Sequence, residues 1–82
     1  MFYVYILKSK EFRKTYVGIT TDFRRRLKEH NSNQSHFTSI YGPWEIVYIE
    51  QFERRTEARK KEKYFKSAAG RRFIKKQKLI PE

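Results

Sequence analysis

Three kinds of side chain stand out for where they fall. Phe23, Leu27 and His30 are spaced i, i+4 and i+7 and share one helical face. Arg26, three residues after Phe23, lies on that face, while Arg24, Arg25, Lys28 and Glu29 point elsewhere. A second helical stripe, Ala58, Phe65 and Ala69, carries Glu62 at its centre. The strands supply tyrosines: Tyr3, Tyr5 and Leu7 alternate onto one face of a first strand, and Tyr16 and Gly18 onto one face of a second. An arginine fork binds oxyanions, a carboxylate can hold a divalent cation, and a tyrosine beside a cation can give up or take a proton. Each residue also has a plainer account. Arg26 can pack its stem and keep its head in water. Glu62, costly to bury alone, can pair with one of many nearby cations. The tyrosines can fill a core with their hydroxyls satisfied, and His30 can be a packed imidazole. Two helices that each turn one charge inward suggest that Arg26 and Glu62 lie over the same sheet surface. Gly18 would leave a gap there for close approach.

These residues need elements to position them. Phe2 to Leu7 is a run of six apolar residues, rich in aromatic and β-branched types, and reads as a strand. Lys8 to Lys14 is a polar connection to a second, antiparallel strand over Thr15–Ile19. Thr20 or Thr21 caps a helix that runs to about His30, with Asp22 in its first turn. Residues 31–35 form a loop, and His36 to Tyr41 a short helical turn. Gly42-Pro43 punctuates the chain before a third strand, Trp44 to Phe52. Thr56 caps a long helix that ends near Ser67. Ala68-Ala69-Gly70 breaks it, and a shorter basic helix follows to about Lys78. The order β-β-α-β-α-α indicates an α+β domain, a small antiparallel sheet carrying helices.

Size and charge narrow the function. Eighty-two residues make one domain, spanning 1–82, with a thin core. The absence of cysteine excludes disulfide scaffolds, thiolate metal sites and cysteine nucleophiles, and two histidines alone cannot build a structural zinc site. No apolar run approaches the ~20 residues of a membrane span, and the amino terminus is not a signal peptide. A cytoplasmic protein is expected. The net charge is +11, and aromatic residues make up 17% of the chain. The excess is uneven: residues 53–82 carry 12 basic and 4 acidic residues, the rest 8 and 5. Such an imbalance exceeds what solubility needs and points to a polyanion partner.

Taken in order, Tyr3-Val4-Tyr5, then Tyr16-Val17-Gly18, then Arg26 and His30, resemble the GIY-YIG nuclease superfamily. The similarity extends through Pro43-Trp44, Tyr48-Ile49-Glu50 and the helix Glu57 to Lys63, so it covers nearly the whole chain. It resembles the short stand-alone bacterial branch, similar to the amino-terminal nuclease domain of excinuclease C. The first triplet reads Tyr-Val-Tyr where the family has Gly-Ile-Tyr. The resemblance implies a three-stranded antiparallel sheet flanked by helices. It also implies hydrolysis of DNA phosphodiesters, in repair or processing, with one divalent ion, Mg2+ or Mn2+. Tyr5 and Tyr16 match the motif tyrosines, Gly18 the motif glycine, Arg26 the catalytic arginine, His30 the position one turn later, and Glu62 the metal-binding glutamate.

The implied chemistry assigns roles. Glu62 would hold the ion, and Arg26 would donate to the phosphate oxygens. Tyr16 or Tyr5 would act as general base or position the water, with His30 as a proton carrier or phosphate donor. Arg24, Arg25 and Lys28 on the first helix, with Lys66, Arg71, Arg72, Lys75 and Lys76, would contact the DNA backbone without reading sequence. Two rivals stand beside this reading: a non-catalytic nucleic-acid-binding module, and a recruitment module whose partner protein supplies targeting.

Overall fold

The computed structural model describes residues 1–32 and 40–76. Strands β1 (Phe2–Ser9) and β2 (Thr15–Thr20) are followed by helix α1 (Phe23–Asn31), strand β3 (Trp44–Phe52) and helices α2 (Arg55–Lys66) and α3 (Ala68–Lys76). This is the α+β order expected from the sequence. The strands form one antiparallel sheet in the order β2-β1-β3.

Strand β1 is central and covered on both faces, which is why its apolar run is unbroken. Val4 and Ile6 point to one face and Tyr5 and Leu7 to the other, all fully buried. On the first face they meet Val17, then Ala58 and Phe65 of α2 and Ile74 of α3. On the second face Tyr5 and Leu7 pack with Trp44, Tyr16 and Leu27 of α1. The helices α1 and α2 therefore lie on opposite faces of the sheet, and Arg26 and Glu62 approach it from different sides.

Strand β3 serves both cores by means of a bulge. Leu7 pairs with Ile46 but Ile6 pairs with Tyr48, leaving Val47 as the extra residue. Trp44 and Ile46 thus join the α1 face, while Val47, Tyr48 and Phe52 join the other. Tyr48 donates to Glu50 Oε1 at 2.5 Å and stands edge-on to Phe65. Burial and that bond push its hydroxyl up to about 12.

Several boundaries differ from those the sequence suggests. Strands β1 and β2 run on to Ser9 and Thr20. Asp22 caps α1, accepting from the Arg25 amide at 3.1 Å, and Thr20 Oγ1 instead accepts from the Asp22 amide. Arg54 holds the cap position of α2 with no side-chain bond, and Thr56 lies inside the first turn. The break between α2 and α3 falls at Ser67, whose hydroxyl donates to the Tyr64 carbonyl and accepts from the Gly70 amide. Ala69 is exposed on α3, not part of the α2 stripe. Gly70 is buried and has no room for a Cβ, which would overlap the Tyr64 carbonyl oxygen. Most of the turn expected at His36–Tyr41, and the end of the last helix near Lys78, lie outside the described residues. No helix among the described residues is long and apolar enough to cross a membrane.

Candidate active site

The α1 face of the sheet holds a polar cluster inside an otherwise aromatic core. Pairing sets Tyr5 opposite Gly18 and Leu7 opposite Tyr16, so both tyrosines emerge on this face. The gap expected at Gly18 is filled by the Tyr5 ring. A Cβ at Gly18 would stand 2.5 Å from the Tyr5 hydroxyl oxygen and 2.7 Å from Cζ. Glycine is needed here so that the tyrosine can lie across β2.

Helix α1 brings the other members. Tyr3 and Phe23 meet edge to face at 5.1 Å, anchoring its first turn. Asn31 fixes its last turn: Oδ1 accepts from the Trp44 amide at 2.7 Å, and Nδ2 donates to the Trp44 carbonyl at 3.1 Å. Sequence patterning puts Asn31 in a loop and gives no sign of this tie, which positions the neighbouring His30. His30 is fully buried. Its Nε2 is 3.0 Å from the Tyr5 hydroxyl, and its ring lies 4.8 Å from that of Tyr16. Tyr5 and Tyr16 are 6.3 Å apart, ring to ring.

Electrostatics keep both partners of the Tyr5–His30 bond uncharged. Burial lowers the His30 pKa, and the Arg26 charge lowers it further, with Glu29 opposing. Burial raises the Tyr5 pKa; the Arg26 guanidinium opposes, and the Tyr16 and Glu62 charges add to the rise. A neutral imidazole and a protonated phenol follow at neutral pH, joined by one hydrogen bond between Tyr5 Oη and Nε2. Arg26 is half-buried beside them. Burial alone would lower its pKa, but interactions with Tyr5 and Glu29 more than offset this. Its Nη1 donates to Glu29 Oε1 at 3.0 Å. Glu29 was expected to point elsewhere; the Arg26-x-x-Glu29 spacing is the signal that identifies it.

Glu62 is carried by α2. Its side chain is 17% exposed and pairs with Lys66 Nζ at 3.3 Å, the plainer account of an inward carboxylate. It nevertheless acts on Tyr5 through its charge. Among the described residues no three His, Cys, Asp or Glu side chains converge as a metal cage. One hard carboxylate fits a magnesium-like ion that keeps most of its waters and takes phosphate oxygens as further ligands.

The eight cations expected to meet DNA are all exposed. They fall into two groups. Arg24, Arg25 and Lys28 are carried by α1, and Lys66, Arg71, Arg72, Lys75 and Lys76 by the end of α2 and by α3.

Comparison with known proteins identifies the family. Residues 1–78 match the GIY-YIG catalytic domain. A UPF0213 protein of Clostridium perfringens is 42% identical over 80% of this chain and 71% of its own length. One of Staphylococcus saprophyticus is 37% identical over 98% and 94%. The solution NMR structure of a UPF0213 protein from Bacillus halodurans superposes with a TM-score of 0.55 at 34% identity, covering 99% of this chain and 89% of that one. With Tyr5 and Tyr16 packed around one buried histidine and residues 1–78 matched, this protein belongs to the family of GIY-YIG catalytic domains.

Proposed function

We propose that the chain is an endonuclease that hydrolyses DNA phosphodiesters in the cytoplasm, assisted by one Mg2+ or Mn2+ ion. The observation that supports it most is the packing of Tyr5, Tyr16 and His30 with Arg26 beside the Tyr5 hydroxyl, under the charge of Glu62. Glu62 would hold the ion, which when bound supplies polarisation of the phosphate and charge neutralisation at the leaving oxygen. Arg26 binds the non-bridging phosphate oxygens; its pairing with Glu29 orients the fork. Water attacks phosphorus, the bond to the leaving oxygen breaks, and the water proton must be taken up. Tyr5 is a poor candidate for that step, being buried and hydrogen-bonded to His30. Tyr16, half-buried on the edge strand, is the better-placed acceptor, and Tyr5 and His30 hold it in position. The exposed cations supply affinity for the DNA backbone.

The Glu62–Lys66 pair favours a second reading, a nucleic-acid-binding module that keeps the fold without catalysis. Nicking of plasmid and branched DNA by the purified chain, with and without Mg2+, separates the two. The proposal expects metal-dependent cutting that Glu62→Gln and Arg26→Lys each reduce by roughly 100-fold or more while DNA binding persists. Binding without cutting, under all metals and DNA forms, would leave the second reading.

A further inference from the structure

We infer that a cleft between β2 and the α2–α3 corner is a subsite for one nucleotide of the substrate strand, a step that rests on the nuclease reading above. The cleft has a volume of about 420 Å³, within the range of small-ligand sites. Val17, Phe65 and Ile74 form its floor. They are at most 8% exposed and belong to the apolar core, so the floor is rigid. Lys66, the last residue of α2, and Arg71, in α3, stand at the rim and are exposed. Thr15 and Tyr16 of the edge strand form the opposite wall.

An apolar floor under two cations matches a phosphate that carries a flat, weakly polar group. The cleft also joins the candidate active site through two residues. Tyr16 lines it and stands 4.8 Å, ring to ring, from His30. Lys66 lines it and is the ion-pair partner of Glu62. A strand with its reacting phosphate near Arg26 and Tyr16 therefore lays a neighbouring nucleotide along the cleft. Its phosphate sits between Lys66 and Arg71, and its sugar and base rest on the floor. Among the described residues Arg71 has no ion-pair partner, so it meets the phosphate without breaking a bond. Lys66 must leave Glu62 to do so, and occupancy of the cleft thereby frees the Glu62 carboxylate. The pair is exposed on its lysine side, so the exchange is cheap.

The test is binding to the isotope-labelled full chain, in chelator, followed by amide chemical shifts. The probe is a 5′-phosphorylated dinucleotide, compared with inorganic phosphate, an unphosphorylated dinucleotide and a short acidic peptide. Shifts should centre on Thr15 to Val17, Lys66 and Arg71. Lys66→Met and Arg71→Gln should each weaken binding about three- to tenfold, with Lys10→Gln unchanged. In the parent, saturation should also move the Glu62 side-chain carboxyl resonance, and in Lys66→Met it should not. Inorganic phosphate binding as tightly as the dinucleotide would reduce the cleft to an anion site and overturn the inference. So would shifts confined to α1, or capture of the acidic peptide in preference, since an edge strand can also add a peptide strand. Cleavage plays no part in this measurement. A chain that cuts DNA with a silent cleft loses the subsite alone; a filled cleft in a chain that never cuts loses the nuclease reading alone.

Discussion

On the α2–α3 face the strands offer Val4, Ile6 and Val17, and the helices answer with Ala58, Phe65 and Ile74. On the α1 face the same strands offer Tyr5, Tyr16 and a glycine, and the helix answers with His30 and Arg26. The first is an apolar core closed by aromatic edges, Phe65 lying 5.2 Å from Tyr48 and 5.7 Å from Phe73. The second buries hydrogen-bonding groups at depth, and they are satisfied there: no buried side-chain polar atom among the described residues is left without a partner. A thin domain has thus set an apolar face that holds it together against a face that buries a polar cluster.

The widest test of that division is to damage each face in turn. Phe65→Ala removes a fully buried ring from the apolar core and should cost about 3–5 kcal/mol, read from denaturant midpoints. That is enough to leave a domain of this size barely folded. Tyr5→Phe keeps the ring over Gly18 but deletes the hydroxyl. The buried His30 Nε2 then loses its hydrogen-bond partner, which should cost about 1–3 kcal/mol. Cleavage by the still-folded Tyr5→Phe protein should fall much further than its stability. A larger stability loss for Tyr5→Phe than for Phe65→Ala would reverse the assignment of the two faces.

Much of this division was legible in the chain. The alternation of Phe2, Val4 and Ile6 against Tyr3, Tyr5 and Leu7 separates the two faces of β1 correctly. The period of Phe23, Leu27 and His30 sets the face of α1, and with it Arg26. Periodicity is local, however, and does not say which side of a sheet a helix covers. The opposition of α1 and α2 depends on how the connections run. The bulge at Val47 is a similar case, since an unbroken alternation would send Trp44 and Tyr48 to the same face. The Tyr5–His30 bond joins residues 25 apart, and only tertiary packing makes it. The displaced caps have a local cause: Asp22 competes with Thr20 and Thr21 for the same role and wins, with Thr20 supporting it from behind.

A smaller effect separates the faces by pH. The His30 pKa is lowered from 6.5 in the folded chain, by burial and then by Arg26. Above about 6.5 the imidazole is neutral folded or unfolded, and its contribution is whole. As pH falls below that value the unfolded chain takes up the proton first, and stability declines toward the folded pKa. Tyr5, raised in the folded chain, acts at the other end: its contribution is present below about 10 and is lost as pH rises through the folded value. Denaturation midpoints of the parent should therefore fall on acidification from pH 7 to 5, and His30→Gln should flatten that slope. An unchanged slope in the variant would place the acid sensitivity elsewhere.

The smallest expected effect bears on the residue that links the two faces. Glu62 is 17% exposed, but its partner Lys66 is 57% exposed. Losing the carboxylate charge by Glu62→Gln strands no buried cation, because Lys66 turns to water. A pair of this kind is worth ~0–1 kcal/mol. The metal-free Glu62→Gln protein should therefore melt within a few degrees of the parent, far from the loss that a fully buried pair would cause. Magnesium should then distinguish them. An ion held by Glu62 binds only the folded chain and raises the melting point of the parent with concentration, while Glu62→Gln stays flat. Equal shifts in both proteins would move the ion to another site. No shift in either, together with a marked loss of stability in Glu62→Gln, would make Glu62 a structural member of the α2 face, and the chemistry on the α1 side would have to proceed without it.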